Sequence, residues 1–182
     1  MRHIPNLICL LRIVLVAPLV AAMLAGDHPR ILVLFTLAAV SDGLDGYLAK
    51  RFNWTSQLGR ALDPLADKVL LISVFITAAW LDIAPWWLAA VAIARDLVIG
   101  FGALIYRLWF GPLHGRPTSI SKFNTGTQLA YLLAVILASA SGFPPREVLD
   151  ALAAVTVVTT LASGVDYVAR FMERGFQRIA AG

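Results

Sequence analysis

The chain has 182 residues, 59% of them hydrophobic and only 14% charged, with 15 Lys and Arg against 11 Asp and Glu for a formal net charge of +4. A mean hydropathy of +0.79 excludes an ordinary soluble domain, in which about a quarter of residues are charged, and points to an integral membrane protein with one domain over 1–182. The single cysteine, Cys9, excludes an internal disulfide and a cysteine metal cluster alike.

A membrane-crossing helix needs about 20 mostly apolar residues. Six stretches qualify in chain order: 7–24, 31–49, 62–81, 86–109, 122–140 and 148–171. The first follows Arg2 and His3 as a secretory signal would, but its apolar run is long enough to span. None alternates apolar and polar positions as a barrel strand must; "VLLISVFITAAW" in the third is apolar throughout. The predicted fold is therefore all-α and polytopic, with six transmembrane helices. Trp86, Trp87 and Trp109 stand at the ends of the fourth span, where aromatic rings anchor helices at the interface. The segment 110–121, "FGPLHGRPTSIS", is rich in Gly, Pro and polar groups and reads as a substrate-facing loop. Pro144 and Pro145 mark the turn before the sixth span.

Basic residues in short loops stay on the cytoplasmic side. With six alternating spans, Arg2, Arg12, Lys50, Arg51, Arg60, Lys68, Arg107, Arg116, Lys122, Arg170, Arg174 and Arg178 fall near one face, and only Arg30 and Arg146 near the other. Both termini are then cytoplasmic. The positive surplus reflects topology and anionic headgroups, with no nucleic-acid module in the sequence. The expected setting is a bacterial inner membrane, with the functional site facing the cytoplasm.

The segment "SDGLDGYLAKRFNWTSQLGRALDPLADK" sets Asp42, Asp45, Asp63 and Asp67 in or beside two of these spans. Hydrocarbon penalises an ionised side chain by about 2.5–3.5 kcal/mol even on lenient scales, so four such residues require an explanation. Residues three or four apart share a helix face, so Asp42 pairs with Asp45 and Asp63 with Asp67. Carboxylates crowded together raise one another's pKa unless a cation lies between them, and a hard divalent ion such as Mg²⁺ suits all-oxygen donors. Gly43, Gly46 and Gly59 leave room for close backbone approach, while Lys50, Arg51 and Arg60 offer charge to a diphosphate. Taken singly, such an aspartate is more often a helix cap or ion-pair partner. A cation or proton pathway in a transporter is the reading from another functional class.

The run resembles the signature of the CDP-alcohol phosphatidyltransferase family, D-x-x-D-G-x-x-A-R-x8-G-x-x-x-D-x-x-x-D. Asp42, Asp45, Gly46, Ala49, Gly59, Asp63 and Asp67 occupy its positions with the spacing intact, and "IPNLICLLR" resembles the family's first helix. Lys50 replaces the motif arginine and is followed by Arg51, so the charge remains while the two-pronged donor is lost. The resemblance implies a six-helix enzyme, usually a homodimer, that moves a phosphatidyl group from a CDP-linked donor such as CDP-diacylglycerol to an alcohol and releases CMP. By motif position Asp42, Asp45, Asp63 and Asp67 would surround Mg²⁺ or Mn²⁺, two ions in all, with Asp67 also the general base. Gly46, Ala49, Lys50, Arg51 and Gly59 would receive the CDP diphosphate.

The acceptor separates subfamilies. "IARDLVIG", with Arg95, and "RPTSISKFNTGTQLA", with Arg116, Lys122 and Asn124, resemble the cardiolipin synthases that use CDP-diacylglycerol and phosphatidylglycerol. Phosphatidylglycerophosphate synthases, which use glycerol 3-phosphate, typically have a second lysine where this chain has Asn124. Arg95, Arg116, Lys122 and Asn124 are the candidate headgroup contacts. Each cation has a plainer alternative: Arg95 an ion pair with Asp96 or a motif aspartate, Lys122 an interfacial snorkelling role, Arg116 a topology charge. His114 reads as a loop histidine.

Overall fold

The computed structural model describes the backbone of residues 4–52, 57–110 and 118–180, and the side chains of 10–41, 66, 68–105, 108–109 and 118–173. Among them are six helices and no strand: α1 (Ile4–Ala25), α2 (His28–Phe52), α3 (Gln57–Trp80), α4 (Trp86–Phe110), α5 (Ser119–Ser141) and α6 (Arg146–Ala180). Each expected span falls on one helix. Most helices outrun their apolar stretch, because backbone hydrogen bonding continues past the point where hydrophobicity stops.

Three helices are long and apolar enough to cross a membrane among the described residues: Trp86–Ile105, Ser119–Ser141 and Arg146–Glu173. The described stretches Leu10–Ala25, His28–Ser41 and Lys68–Trp80 are apolar but shorter. In α2 and α3 the rest of the helix is the charged aspartate segment, which interrupts the run. Trp86 and Trp109, 74% and 80% exposed, lie roughly 35 Å apart along α4, close to a bilayer's hydrocarbon thickness plus its boundaries.

The turns follow from local sequence. Gly26, at φ 68°, ends α1. Its N–H donates to Met23 O at 3.1 Å and the Asp27 N–H to Ala22 O at 3.0 Å, a pattern that satisfies two orphan carbonyls. Asp27 then caps α2, its Oδ1 accepting the Arg30 N–H at 3.2 Å. After α3, Asp82 at φ 57° takes the glycine role, with Ile83 N–H donating to Ala78 O at 3.0 Å. Asp is among the few residues that adopt this conformation at modest cost. Gly142, at φ 73°, closes α5, and α6 begins directly after Pro145, as the proline pair implies.

The chain forms two compact units, 1–86 with 132–146, and 87–131 with 147–182. In the first, α1 packs against both α2 and α3. Its interior is apolar and closely fitted, with Leu19, Phe35, Ala38, Val74, Phe75, Ala78, Leu132 and Ile136 all almost wholly buried. Alanines at contacts allow close helix approach, which matters in lipid because dispersion contacts replace the hydrophobic effect as the driving force. In the second, α4, the first part of α5 and α6 enclose a polar interior: Arg95, Asp96, Asn124, Gln128, Thr156, Thr160 and Ser163 are all at least 91% buried.

Candidate functional site

The first unit carries the aspartate motif. Asp42, Asp45, Gly46, Ala49, Lys50 and Arg51 lie on the second half of α2, and Gly59, Asp63 and Asp67 on the first half of α3. Both segments are continuous helix, so the pairs 42/45 and 63/67 each share a helix face. Their side chains are outside the described residues. Among the described residues no group of three or more His, Cys, Asp or Glu is placed to hold a metal ion.

Helix lengths fix the level of the motif. Gly26, His28 and Leu81 meet around one small hollow at an end of this unit. From there to Arg12, Asp42 and Asp67 is fourteen residues in each case, from 26 to 12, 28 to 42 and 81 to 67, or about 21 Å of helix. Position 12 on α1, 42 on α2 and 67 on α3 thus lie the same helical distance from that hollow. Arg12 is fully buried and engaged in an interaction, which its sequence reading as one of the charges near the cytoplasmic face did not include. The clue in the sequence is its place, the sixth residue of the otherwise apolar first span.

The second unit holds three of the expected acceptor residues, Arg95 on α4 and Lys122 and Asn124 on α5. The Arg95 guanidinium donates to Asp96 Oδ1 at 2.8 Å, to Ser121 Oγ at 2.8 Å and to Ser163 Oγ. Of the alternatives for Arg95, an ion pair with Asp96 is present, both side chains being 5% exposed. The pair is net neutral. One helical turn further along α5, Asn124 is fully buried, its Oδ1 accepting from Thr159 at 3.0 Å and Thr160 at 2.8 Å. Next comes Thr127, whose hydroxyl is 3.0 Å from that of Thr159. Arg95 thus bridges Ser121 on α5 and Ser163 on α6, while Asn124 and Thr127 meet Thr156, Thr159 and Thr160 directly, a polar ladder between antiparallel helices.

The ladder leaves donors over. Arg95 Nε, Asn124 Nδ2 and Gln128 Nε2 are buried with no hydrogen-bond partner among the described residues. A buried donor without an acceptor costs about 1–3 kcal/mol, so a bound group bearing oxygen acceptors would be favoured there. Lys122 is exposed on the opposite side of α5, beside Phe123 and Gly126. Arg116 and His114 lie outside the described residues. The serines and threonines of α6 were not singled out from the sequence, because a hydroxyl in a span usually bonds its own helix and reveals no partner.

Comparison with known proteins bears on both units. A family model described as CDP-alcohol phosphatidyltransferase matches residues 2–162. The chain belongs to the CDP-alcohol phosphatidyltransferase family. It is 35% identical to a cardiolipin synthase (CMP-forming) of Rattus norvegicus, the match covering 90% of this chain and 60% of the relative. The human cardiolipin synthase (CMP-forming) is 32% identical over the same shares. A probable phosphatidylglycerophosphate synthase of Mycobacterium tuberculosis (strain ATCC 25618 / H37Rv) is 30% identical, over 92% of this chain and 81% of that protein. The chain thus spans about 60% of the length of the rat and human relatives.

Proposed function

We propose that this chain is a phosphatidyltransferase that joins CDP-diacylglycerol to phosphatidylglycerol, forming cardiolipin and releasing CMP. The observation that carries the reading is the complete aspartate motif on α2 and α3, two neighbours of one helix, with its pairs at face-sharing spacing. The family match and the rat and human relatives support the donor and the released nucleotide.

The acceptor reading rests on charge. Arg95 is already neutralised by Asp96, and Asn124 is a neutral amide, so the interior of the second unit offers little net positive charge and several spare N–H donors. Such a site suits the single negative charge and free hydroxyls of phosphatidylglycerol better than the dianion of glycerol 3-phosphate. The mycobacterial relative supports glycerol 3-phosphate as the second reading.

In the reaction, the free glycerol hydroxyl of phosphatidylglycerol attacks the phosphorus that bears the diacylglycerol. The bond from that phosphorus to the oxygen bridging to CMP breaks, and CMP departs with the electron pair. The hydroxyl proton passes to the Asp67 carboxylate, because an alcohol is a poor nucleophile at neutral pH without a base in reach. Lys50 and Arg51 offset the diphosphate charge, and Gly46, Ala49 and Gly59 leave space for the nucleotide. The donor set of Asp42, Asp45, Asp63 and Asp67 is all hard oxygen and fits Mg²⁺ or Mn²⁺, two ions in this reading; bound there, they would stabilise charge on the phosphoryl oxygens and the leaving group. Six spans, a homodimer and a cytoplasm-facing site in a bacterial inner membrane complete the proposal.

The test is acceptor competition. Purified, reconstituted protein receives CDP-diacylglycerol with phosphatidylglycerol and glycerol 3-phosphate together, and mass spectrometry reads the products. Cardiolipin and CMP are expected; consumption of glycerol 3-phosphate with phosphatidylglycerol untouched overturns the acceptor. Asp67→Asn is expected to abolish turnover while CDP-diacylglycerol still binds, and near-normal turnover would sink the assignment of the base.

A further inference from the structure

Along one side of the second unit, α4 and α6 leave a groove of about 620 Å³. Its walls are apolar side chains on one face of α6, Leu161, Val165, Val168 and Met172, at 56%, 70%, 42% and 54% exposure. On the α4 side its floor is the Arg95 stem, packed so close to α6 that a Cβ at Gly164 would lie 3.7 Å from Arg95 Cγ. The groove runs from Thr160 to Met172 on α6 and lies wholly within the spans Trp86–Ile105 and Arg146–Glu173. Twelve residues of helix cover about 18 Å, slightly more than the roughly 15 Å of one leaflet's hydrocarbon.

We infer that this groove seats one acyl chain of the lipid acceptor, with the headgroup drawn to the polar ladder beside it. This rests on the phosphatidylglycerol reading above and adds to it. Two residues, Arg95 and Thr160, belong to groove and ladder at once, so a single molecule with an apolar tail and an oxygen-rich head satisfies both. Arg95 Nε is buried without an acceptor among the described residues; a phosphodiester anion supplies one, whereas the apolar helix face of a second copy does not. The donor's motif lies on α2 and α3, and the groove is lined by residues of α4 and α6. Glycerol 3-phosphate has no tail, so a groove of this kind serves only a lipid acceptor.

The experiment fills the groove and varies the tail. Reconstituted Val165→Trp and Val168→Trp are assayed with CDP-dioleoylglycerol and with phosphatidylglycerols bearing dihexanoyl or dioleoyl chains. Inside a bilayer the chain gains only packing, not hydrophobic transfer, so the expected loss is moderate: kcat/KM for the dioleoyl acceptor falls about fivefold or more. The dihexanoyl acceptor and the KM for CDP-dioleoylglycerol stay within about twofold of wild type on the same argument. In parallel, phosphatidylglycerol with a photoactivatable tail is crosslinked to the wild-type protein. Labelling within 160–172 that excess phosphatidylglycerol suppresses and CDP-diacylglycerol does not is the expected result, independent of how the variants fold. Equal losses for both tail lengths, a rise in donor KM, or labelling elsewhere overturns the inference. A drop in dimer fraction with unchanged tail selectivity instead assigns the groove to a second copy. If wild-type protein makes no cardiolipin, the acceptor reading fails; if it makes cardiolipin and the tail dependence is unaltered, only the groove does.

Discussion

Replacing Asn124 by Leu separates support of the fold from contact with the acceptor. The change removes the Oδ1 that accepts from Thr159 and Thr160 at 3.0 and 2.8 Å. Hydrogen bonds between helices in lipid average about 0.6 kcal/mol each, so two are worth roughly 1 kcal/mol. Neither hydroxyl is orphaned, since Thr159 and Thr160 also donate to Thr156 O at 3.0 and 2.6 Å. The same change deletes the buried, unpartnered Nδ2, relieving about 1–3 kcal/mol. Leu keeps the branched shape, so a relief of about 1–3 kcal/mol against a loss of roughly 1 kcal/mol should leave stability unchanged or raised by up to about 2 kcal/mol. Activity has no such compensation. If Nδ2 serves the acceptor's oxygens, its loss should lower kcat/KM for phosphatidylglycerol about 10- to 100-fold, the equivalent of one buried hydrogen bond. The assay pairs thermal unfolding in detergent with steady-state kinetics in mixed micelles. Intact kcat/KM, or a collapse of stability with activity falling in proportion to folded protein, would refute the reasoning.

Other outcomes follow from the same contacts. Arg95→Met removes the ion-pair partner that the buried Asp96 carboxylate meets at 2.8 Å and should destabilise by about 3 kcal/mol. In Arg95→Met/Asp96→Leu much of that loss should return while activity does not, as read by unfolding and turnover side by side; full recovery of turnover would contradict a role for Arg95 at the headgroup. Gly102→Ala places a Cβ 3.1 Å from Tyr167 Cε1, an overlap that should cost about 1–2 kcal/mol. Tyr167→Leu in the Gly102→Ala background should recover part of this, and a neutral Gly102→Ala would mean that α4 and α6 shift apart freely.

How much was legible in the sequence differs between the two units. The aspartate motif and its helices are written locally: 42/45 and 63/67 are three and four residues apart, and the apolar runs mark α2 and α3 with no knowledge of neighbours. The burial of Arg12 was not legible, because a basic residue near a span's end looks the same whether it faces headgroups or the interior. Only packing of α1 against α2 and α3 made it fully buried. Arg95 could be seen as a charge in a span, yet which of its possible partners it takes depends on rotamers, and Asp96 won as the nearest acid at 2.8 Å.

The sequence by itself determined the membrane class, the helices and their order, the turn at Pro144 and Pro145 before α6, and the carboxylate spacing. Each depends on hydropathy, dihedral preference or helical period, which act within a few residues. Tertiary structure alone decided that Arg95 bridges Ser121 and Ser163, that Asn124 and Thr127 meet Thr160 and Thr159 across 32 to 36 residues, and that α4 and α6 leave a groove beside that ladder. In lipid such pairings are selected by close packing and by the cost of leaving polar groups unpaired, and both exist only once helices stand side by side.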